Sequence, residues 1–519
     1  MPLAHPLAAA FAAFEANDPT QVIRLCAPLL AADPQAHLLT GLATGLLARP
    51  TAAAAHLAIA ARARGAAAHP IRDLIALLTQ LDRHALIPAQ IDACLTHANG
   101  TDPGLLHDLA DYHYNTGDIA AAQTLLTRCM ALDPTHAPSL NLWAMTEAAL
   151  GRNHAAITAL RAITRRTPHH AESWANLGLL LKDDGAYPEA IAAYDKALAL
   201  APDDPRIRVN RVVALLRAGR WTEAWPDYEW RLRLAGHATS RPRLLPMLSS
   251  LPDLTGKTIL AVHEDGFGDT LHFARYLPML RQRGARVIAV TPKPLHRVLR
   301  PLAPVHDSET PWPEHDFYCP FFSLPRAFET TPETIPAPVP YLRAEPELIA
   351  AWRARLPLVG LKIGLVWAGQ ARPSAPDFAI LDGRRSLALS ALAPFAAIPG
   401  LTFISLQHGR EAAQARTPPD GMRLFDPMRA VQDFAGTAAI IANLDLVISV
   451  DTAVAHLAGA MGKPVFLLDR YDHCWRWLSG RTDSPWYPSM RIFRQTAIGD
   501  WGAVLREVAA ALKSHHLNT

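Results

Sequence analysis

The sequence predicts an α + α/β protein: a helical solenoid followed by two lobes, each a parallel sheet with helices on both faces. Three observations carry that expectation. Glycine, alanine and proline recur every 34 residues over a stretch that ends near residue 236; β-branched runs alternate with helical stretches from residue 257 onward; and a proline-rich segment, 331–346, divides that second half.

Residues 1–100 are Ala- and Leu-rich helical sequence with turn signals at Asp33-Pro34 and His69-Pro70, read either as degenerate repeats or as a capping bundle. From 101 to 236 the period is regular. Gly117, Gly151, Gly185 and Gly219 lie 34 residues apart, as do Ala122, Ala156, Ala190 and Ala224, and Pro134, Pro168 and Pro202. Glycine ends the first helix of a pair at a tight turn, small alanine lets the two helices approach, and proline stops the second helix. The unit at 171–204, with Trp174, Leu177, Gly178, Leu181, Tyr187, Ala190, Tyr194, Ala197 and Pro202, resembles the tetratricopeptide repeat. Units at 103–136 and 137–170 follow it more loosely. The unit at 205–236 has Arg208 and Arg211 at positions that are ordinarily apolar, so a different neighbour is expected for it. Such an array is a surface for holding another molecule.

Residues 237–256 carry turn formers without a helical period and are the expected linker. Beyond them, TILAVH (258–263), RVIAV (286–290), KIGLVWAG (362–369), LTFISLQ (401–407), LDLVISV (444–450) and PVFLL (464–468) read as strands. Two Rossmann-like lobes follow, 257–345 and 357–514, with a ligand cleft expected between them.

Bulk properties exclude several function classes. With 519 residues and 50% hydrophobic composition the chain can build about three cored domains. A net charge of +3, without a long basic block, gives no polyanion-binding surface, so nucleic acid is not an expected partner. Five scattered cysteines, none in a C-x-x-C pair, fit neither a disulfide framework nor a zinc site and point to a reducing, cytoplasmic compartment. The apolar N-terminus lacks a basic leader and runs into Glu15 and Asp18, so it reads as a soluble helix rather than an export signal. No run reaches the roughly 18 to 20 apolar residues of a membrane helix; membrane contact, if any, is expected to be peripheral.

Two motifs place chemistry. AVHEDGFGDTLHFARYLPML passes from strand through a glycine loop into a helix, so Gly266 and Gly268 permit close backbone approach and Asp269 falls at the helix start, on the ligand-facing rim of an open α/β sheet. The alternative for Asp269 is a helix cap worth about 1 kcal/mol. LDLVISVDTAVAHLAGAMGKPVFLL ends a strand at Asp451, opens a helix at Thr452 and places His456 one turn on. Free N–H groups, a positive dipole end, a carboxylate and an imidazole there suit a nucleotide diphosphate. An N-cap pair with a buried histidine is the alternative. Trp475, Trp477, Trp486 and Tyr487 read as packing at a lobe interface rather than as stacking residues.

Taken together, GFGDTLHFARYLP and SVDTAVAHLAGAMGKPV resemble the family 9 glycosyltransferases, the heptosyltransferase-like group with a GT-B fold. CPFFSLPRAF (319–328), IPAPVPYL (335–342), GLVWAGQ (364–370), GRRSL (383–387) and SLQHG (405–409) extend the resemblance over roughly 256–500. It implies a glycosyltransferase with an acceptor-side first lobe and a donor-side second lobe, in which Asp269 is the general base and Asp451, Thr452 and His456 hold a nucleotide-sugar. Gly266 and Gly268 join the donor-binding set, with Arg384 and Arg385 as cations for the leaving diphosphate or, alternatively, as members of surface ion pairs. No D-x-D pair is present for a nucleotide-bound divalent ion, so metal-independent transfer without a cofactor is expected. The expected partners are a nucleotide-sugar and a protein, peptide or glycan acceptor at the repeat groove. Segment 469–495 departs from the lipopolysaccharide enzymes and leaves the acceptor open. Two rivals stand beside this reading: a scaffold whose second half has lost catalysis or only senses nucleotide, and an enzyme resembling the repeat-bearing O-linked N-acetylglucosamine transferases.

Overall fold

The computed structural model describes residues 7–64, 70–234, 243–251, 253–370 and 382–517. The first six residues of the expected N-terminal helix, His69 of one expected turn, and residues 237–242 and 252 of the expected linker lie outside them.

The helical part is built from hairpins whose ends can be read residue by residue. Helices Pro103–Asn115 and Ile119–Leu132 form one pair, and Ala137–Ala149 with Asn153–Arg166 the next. The turns contain Gly117 (φ +87°) and Gly151 (φ +78°), with open space where a Cβ would stand, so the left-handed backbone and not crowding requires glycine. Ala122 and Ala156 are fully buried between paired helices. Helix starts reuse one device: Asp18, Asp33, Asp102 and Asp204 each accept a hydrogen bond from a first-turn N–H, with proline as the first helical residue. At the 34-residue period His136 and His170 do the same, Nδ1 accepting from Ser139 N and Ser173 N at 3.3 Å.

The first hundred residues share this geometry. Their helices end at Glu15, Leu46 and Gln80, and the left-handed turn residue is Asn17, Ala48 or Asp82 in place of glycine. One apolar core runs without a break from Leu38 to Cys129 and so ties this part to the first regular repeat.

The chain divides into two compact units, one of the described residues up to Asp184 with Asp195–Pro202, the other of Gly185–Tyr194 with the described residues from Asp203 onward. The helical segment 203–234, which the 34-residue period groups with the repeats, thus belongs to the unit of the sheets. Its own residues supply the reason. Arg208 and Arg211 turn to Asp227 at 2.7 and 3.6 Å, Trp221 stacks on Trp486 at 5.7 Å, and Trp225 Nε1 donates to the Thr330 carbonyl.

In that unit, β1 (Thr258–Val262), β2 (Arg286–Thr291), β3 (Val305–Asp307) and β4 (Phe317–Pro320) form a parallel sheet in the order β3-β2-β1-β4. A second parallel sheet holds β5 (Leu361–Val366), β6 (Leu401–Ser405), β7 (Leu424–Phe425), β8 (Leu446–Val450), β9 (Val465–Asp469) and β10 (Met490–Arg494), in the order β10-β9-β8-β5-β6-β7. Strand order reverses between β1 and β4 in the first sheet and between β5 and β8 in the second. Ligands of open α/β sheets bind at the carboxyl ends beside such reversals. The six expected strands are all present; β3, β4, β7 and β10 were not anticipated. Among the described residues no helix is long and apolar enough to cross a membrane.

Candidate active site

The loop after β1 leads into helix Phe267–Phe273, and the loop after β8 leads into helix Ala453–Ala460. The two starts touch. A Cβ on Gly268 would stand 3.0 Å from His456 Cδ2 and 3.2 Å from Ala453 Cα, so glycine is needed for one lobe's helix to abut the other's. The close approach expected of Gly268 is therefore made to protein. Gly266 is the N-cap of the first helix, and a side chain there would meet Asp269 Oδ2 at 2.9 Å.

Neither helix start has a side-chain cap. Asp269 Oδ1 instead accepts from Arg476 Nη2, in a buried ion pair. Burial pushes the Asp269 carboxyl up to about 6, and the carboxylates of Asp265, Asp451 and Glu264 act the same way; Arg476 opposes them.

Asp451 lies across from it. Burial disfavours its charge, but the guanidiniums of Arg385, Arg476 and Arg470 favour it, and the carboxyl is held below its ordinary value. Its Oδ1 is 3.7 Å from His456 Nε2. Thr452 Oγ1 is 3.0 Å from Ser449 Oγ. His456 is buried, stacks on Trp477 at 5.3 Å, and has its pKa driven down to about 3 by desolvation, so its imidazole is neutral. The buried-histidine alternative is met in burial; as a ligand group His456 offers a hydrogen bond and not a charge.

Tyr487 joins the two lobes here. Its hydroxyl is 3.0 Å from His456 Nδ1 and 2.7 Å from His272 Nδ1. One hydroxyl can donate to only one of two ring nitrogens, so the other ring donates to it and the histidines hold opposite tautomers. Arg275, buried, donates to the Trp486 and Pro336 carbonyls and lies over the Tyr487 ring at 4.8 Å. Trp475, Trp477 and Trp486 are buried in the same packing, as expected for an interface.

Arg385 reaches the β5/β8 reversal, donating from Nη1 to the Asp451 carbonyl at 3.1 Å and pairing with Asp382 at 2.7 Å. Its guanidinium lies on Gly369, where a Cβ would come within 2.7 Å of Cζ. The loop beneath is clamped by Gln407, whose Oε1 accepts from Trp367 N and Ala368 N and whose Nε2 donates to the Ala368 carbonyl. Arg384 points elsewhere. It forms the ion-pair alternative, 3.1 Å from Asp472, a carboxylate that also has Arg470 at 3.5 Å.

The structure thus gathers Gly266, Gly268, Asp269, Asp451, Thr452, His456 and Arg385 at one junction and sets Arg384 on an adjoining carboxylate. Sequence reasoning missed Arg476, His272, Arg275, Gln407 and Asp472. The signal for Gln407 was present in SLQHG, whereas Arg476 is 207 residues from its partner.

The tetratricopeptide repeat families match residues 103–136, 141–205 and 183–233, and glycosyltransferase family 9 (heptosyltransferase) matches 410–478, which includes Asp451, His456 and Arg476. Protein FlbA of Caulobacter vibrioides is 28% identical over 443 residues, covering 70% of each chain. Among solved structures, a thermophilic tetratricopeptide protein of Thermus thermophilus is 25% identical with a TM-score of 0.29, covering 31% of this chain and 89% of that one. MamA of Desulfovibrio magneticus RS-1 is 19% identical with a TM-score of 0.27, covering 33% of this chain and 96% of that one. The chain thus carries tetratricopeptide repeats in its N-terminal part and, at residues 410–478, a segment similar to glycosyltransferase family 9.

Proposed function

We propose that the protein is a glycosyltransferase that moves a sugar from a nucleotide-sugar to an acceptor held by the repeats, with Asp269 as general base. The observation that carries the reading is the meeting of Asp269 with Asp451, Thr452, His456 and Arg385 at the carboxyl ends of both sheets. In the proposed step the acceptor hydroxyl gives its proton to the Asp269 carboxylate as its oxygen bonds the anomeric carbon. The bond from that carbon to the diphosphate oxygen breaks, and its electron pair leaves with the nucleoside diphosphate. Arg385, Arg384 and the N–H groups opening the 453–460 helix are the groups to offset the leaving charge, and Asp451 is suited to ribose hydroxyls. No step is assigned to a metal ion. The domain scheme of the reading has the first lobe on the acceptor side, the second on the donor side, and a peptide, protein or glycan as acceptor.

The test is a panel of nucleotide-sugars assayed for binding and turnover. Asp269→Ala is expected to abolish turnover while donor still binds, and Asp451→Ala to weaken donor binding. If both variants bind and turn over a donor as wild type does, the assignment is wrong. A second reading is favoured by one observation, the direct contact of Gly268 with Ala453, which fills the junction with protein. On that reading the second half is a nucleotide sensor or scaffold, and tight partner binding with no sugar hydrolysed or transferred would select it.

A further inference from the structure

The Asp269–Arg476 pair joins the helix after β1 to the segment after β9. Arg476 is enclosed on its other sides. Its Nη1 lies 2.9 Å from Cys474 Sγ, and its guanidinium carbon is 5.2 Å from the Phe273 ring, 5.0 Å from Phe322 and 5.1 Å from Trp475. Aromatic faces favour a cation, and Arg476 is buried among these three. Phe322 is also 6.0 Å from the guanidinium of Arg231, which pairs with Glu229 at 2.8 Å and with Glu264 at 2.9 Å. Glu264 is on the loop that leads into the helix of Asp269, so the same cluster steadies both members of the pair.

Several other ionisable groups surround the pair. Glu264 and Asp265 stand on the loop, His272 further along the helix of Asp269 and Arg275 in the turn just beyond it. Asp451 faces it from the turn after β8 and His456 from the helix that follows, with Arg385 and Arg470 beside Asp451. Cys474 flanks Arg476, and Tyr228, Glu229 and Arg231 approach from the last helical segment. The three carboxylates that act on Asp269, and its burial, oppose its charge, whereas Arg476 favours it.

We infer that Arg476 is a positioning residue for the proposed transfer: its bond to Oδ1 holds Asp269 in the charged form and leaves Oδ2, over Gly266, to take the acceptor proton. The inference rests on the transfer reading for its reaction, though not for the ionisation it assigns.

Arg476→Met removes the charge and keeps much of the packing on the rings, and Arg476→Lys keeps the charge. With a donor that wild type turns over, the acidic limb of kcat/KM is expected near pH 6 in wild type. It should rise by at least about one pH unit in R476M and stay in place in R476K, with donor KM little changed in both. A uniform fall in rate with the limb unmoved overturns the inference, and so does a raised donor KM with the limb unmoved. If R476M does not fold, Arg476→Gln, neutral and still a donor, takes its place. Infrared titration of 13C-labelled aspartate, wild type minus Asp269→Asn, reads the same ionisation without turnover. Failure of every donor to react refutes the transfer reading alone, while an infrared midpoint unmoved by loss of the Arg476 charge refutes the role of Arg476.

Discussion

Replacing Asp269 by Asn asks whether burial or the ion pair governs this carboxyl. The two effects oppose each other: desolvation raises its pKa and Arg476 lowers it, and the balance lies at about 6 against an ordinary value of 3.8. A shift of about 2 units corresponds to about 3 kcal/mol. Because the folded-state value is the higher, the native protein binds the proton more tightly than the unfolded chain does. The resulting stabilisation is fully present below pH 3.8 and is lost as pH rises through about 6. Asn cannot titrate. The stability difference between wild type and Asp269→Asn is therefore expected to fall by roughly 2 to 3 kcal/mol between pH 4 and pH 7, on top of a pH-independent offset for the unpaired Arg476. Denaturant unfolding followed by tryptophan fluorescence reads the right unit, since Trp221, Trp225, Trp475, Trp477 and Trp486 are all buried there. A difference that grows with pH would mean the ion pair wins and the carboxyl is depressed, which refutes the reasoning.

Two further outcomes follow from the junction. Arg385→Ala removes a guanidinium bonded to the Asp451 carbonyl, and calorimetric titration of a nucleoside diphosphate is expected to show affinity lowered roughly tenfold or more, the worth of one charge-assisted hydrogen bond. Gly268→Val places a side chain against His456 and the Ala453 backbone; overpacking of about 1 to 3 kcal/mol is expected as a lowered melting temperature, while the same change at Gly383, where a Cβ meets nothing within 4 Å, should cost less.

Legibility followed local physics. Gly117, Gly151, Gly185 and Gly219 were readable because a left-handed turn selects glycine, and the period they set is real. The earlier turns take the same φ with Asn17, Ala48 and Asp82, so the phase vanished from the sequence while the geometry continued. Strands β1, β2, β5, β6, β8 and β9 announced themselves by apolar β-branched runs, whereas β7 spans only Leu424–Phe425 and β3 only Val305–Asp307, too short for a pattern. Asp269 and Asp451 were visible because each lies where a strand passes through a turn into a helix. Arg476 was not: it looked like one cation in an aromatic segment, and only folding brings it to Asp269.

The helical segment 203–234 shows why a repeat can depart from its own pattern. Arginines at 208 and 211 would be costly in a regular apolar stack, but each finds Asp227, and the Trp230 ring lies 4.2 Å from the Arg208 guanidinium. Arg217 donates to the Asp472 carbonyl, Trp221 packs on Trp475 and Trp486, and Arg231 binds Glu264 and Ser323. These contacts fall on the loop after β9, on the aromatic segment beyond it, on the turn after β4 and on the loop that leads to Asp269. Removing one partner of a buried pair such as Arg231–Glu264 costs about 3 to 5 kcal/mol, because the remaining charge stays buried. The substitutions that blur the repeat therefore make this segment a support for the loops that flank Asp269. A change in its packing would reach Asp269 through Glu264, without any ligand entering the junction.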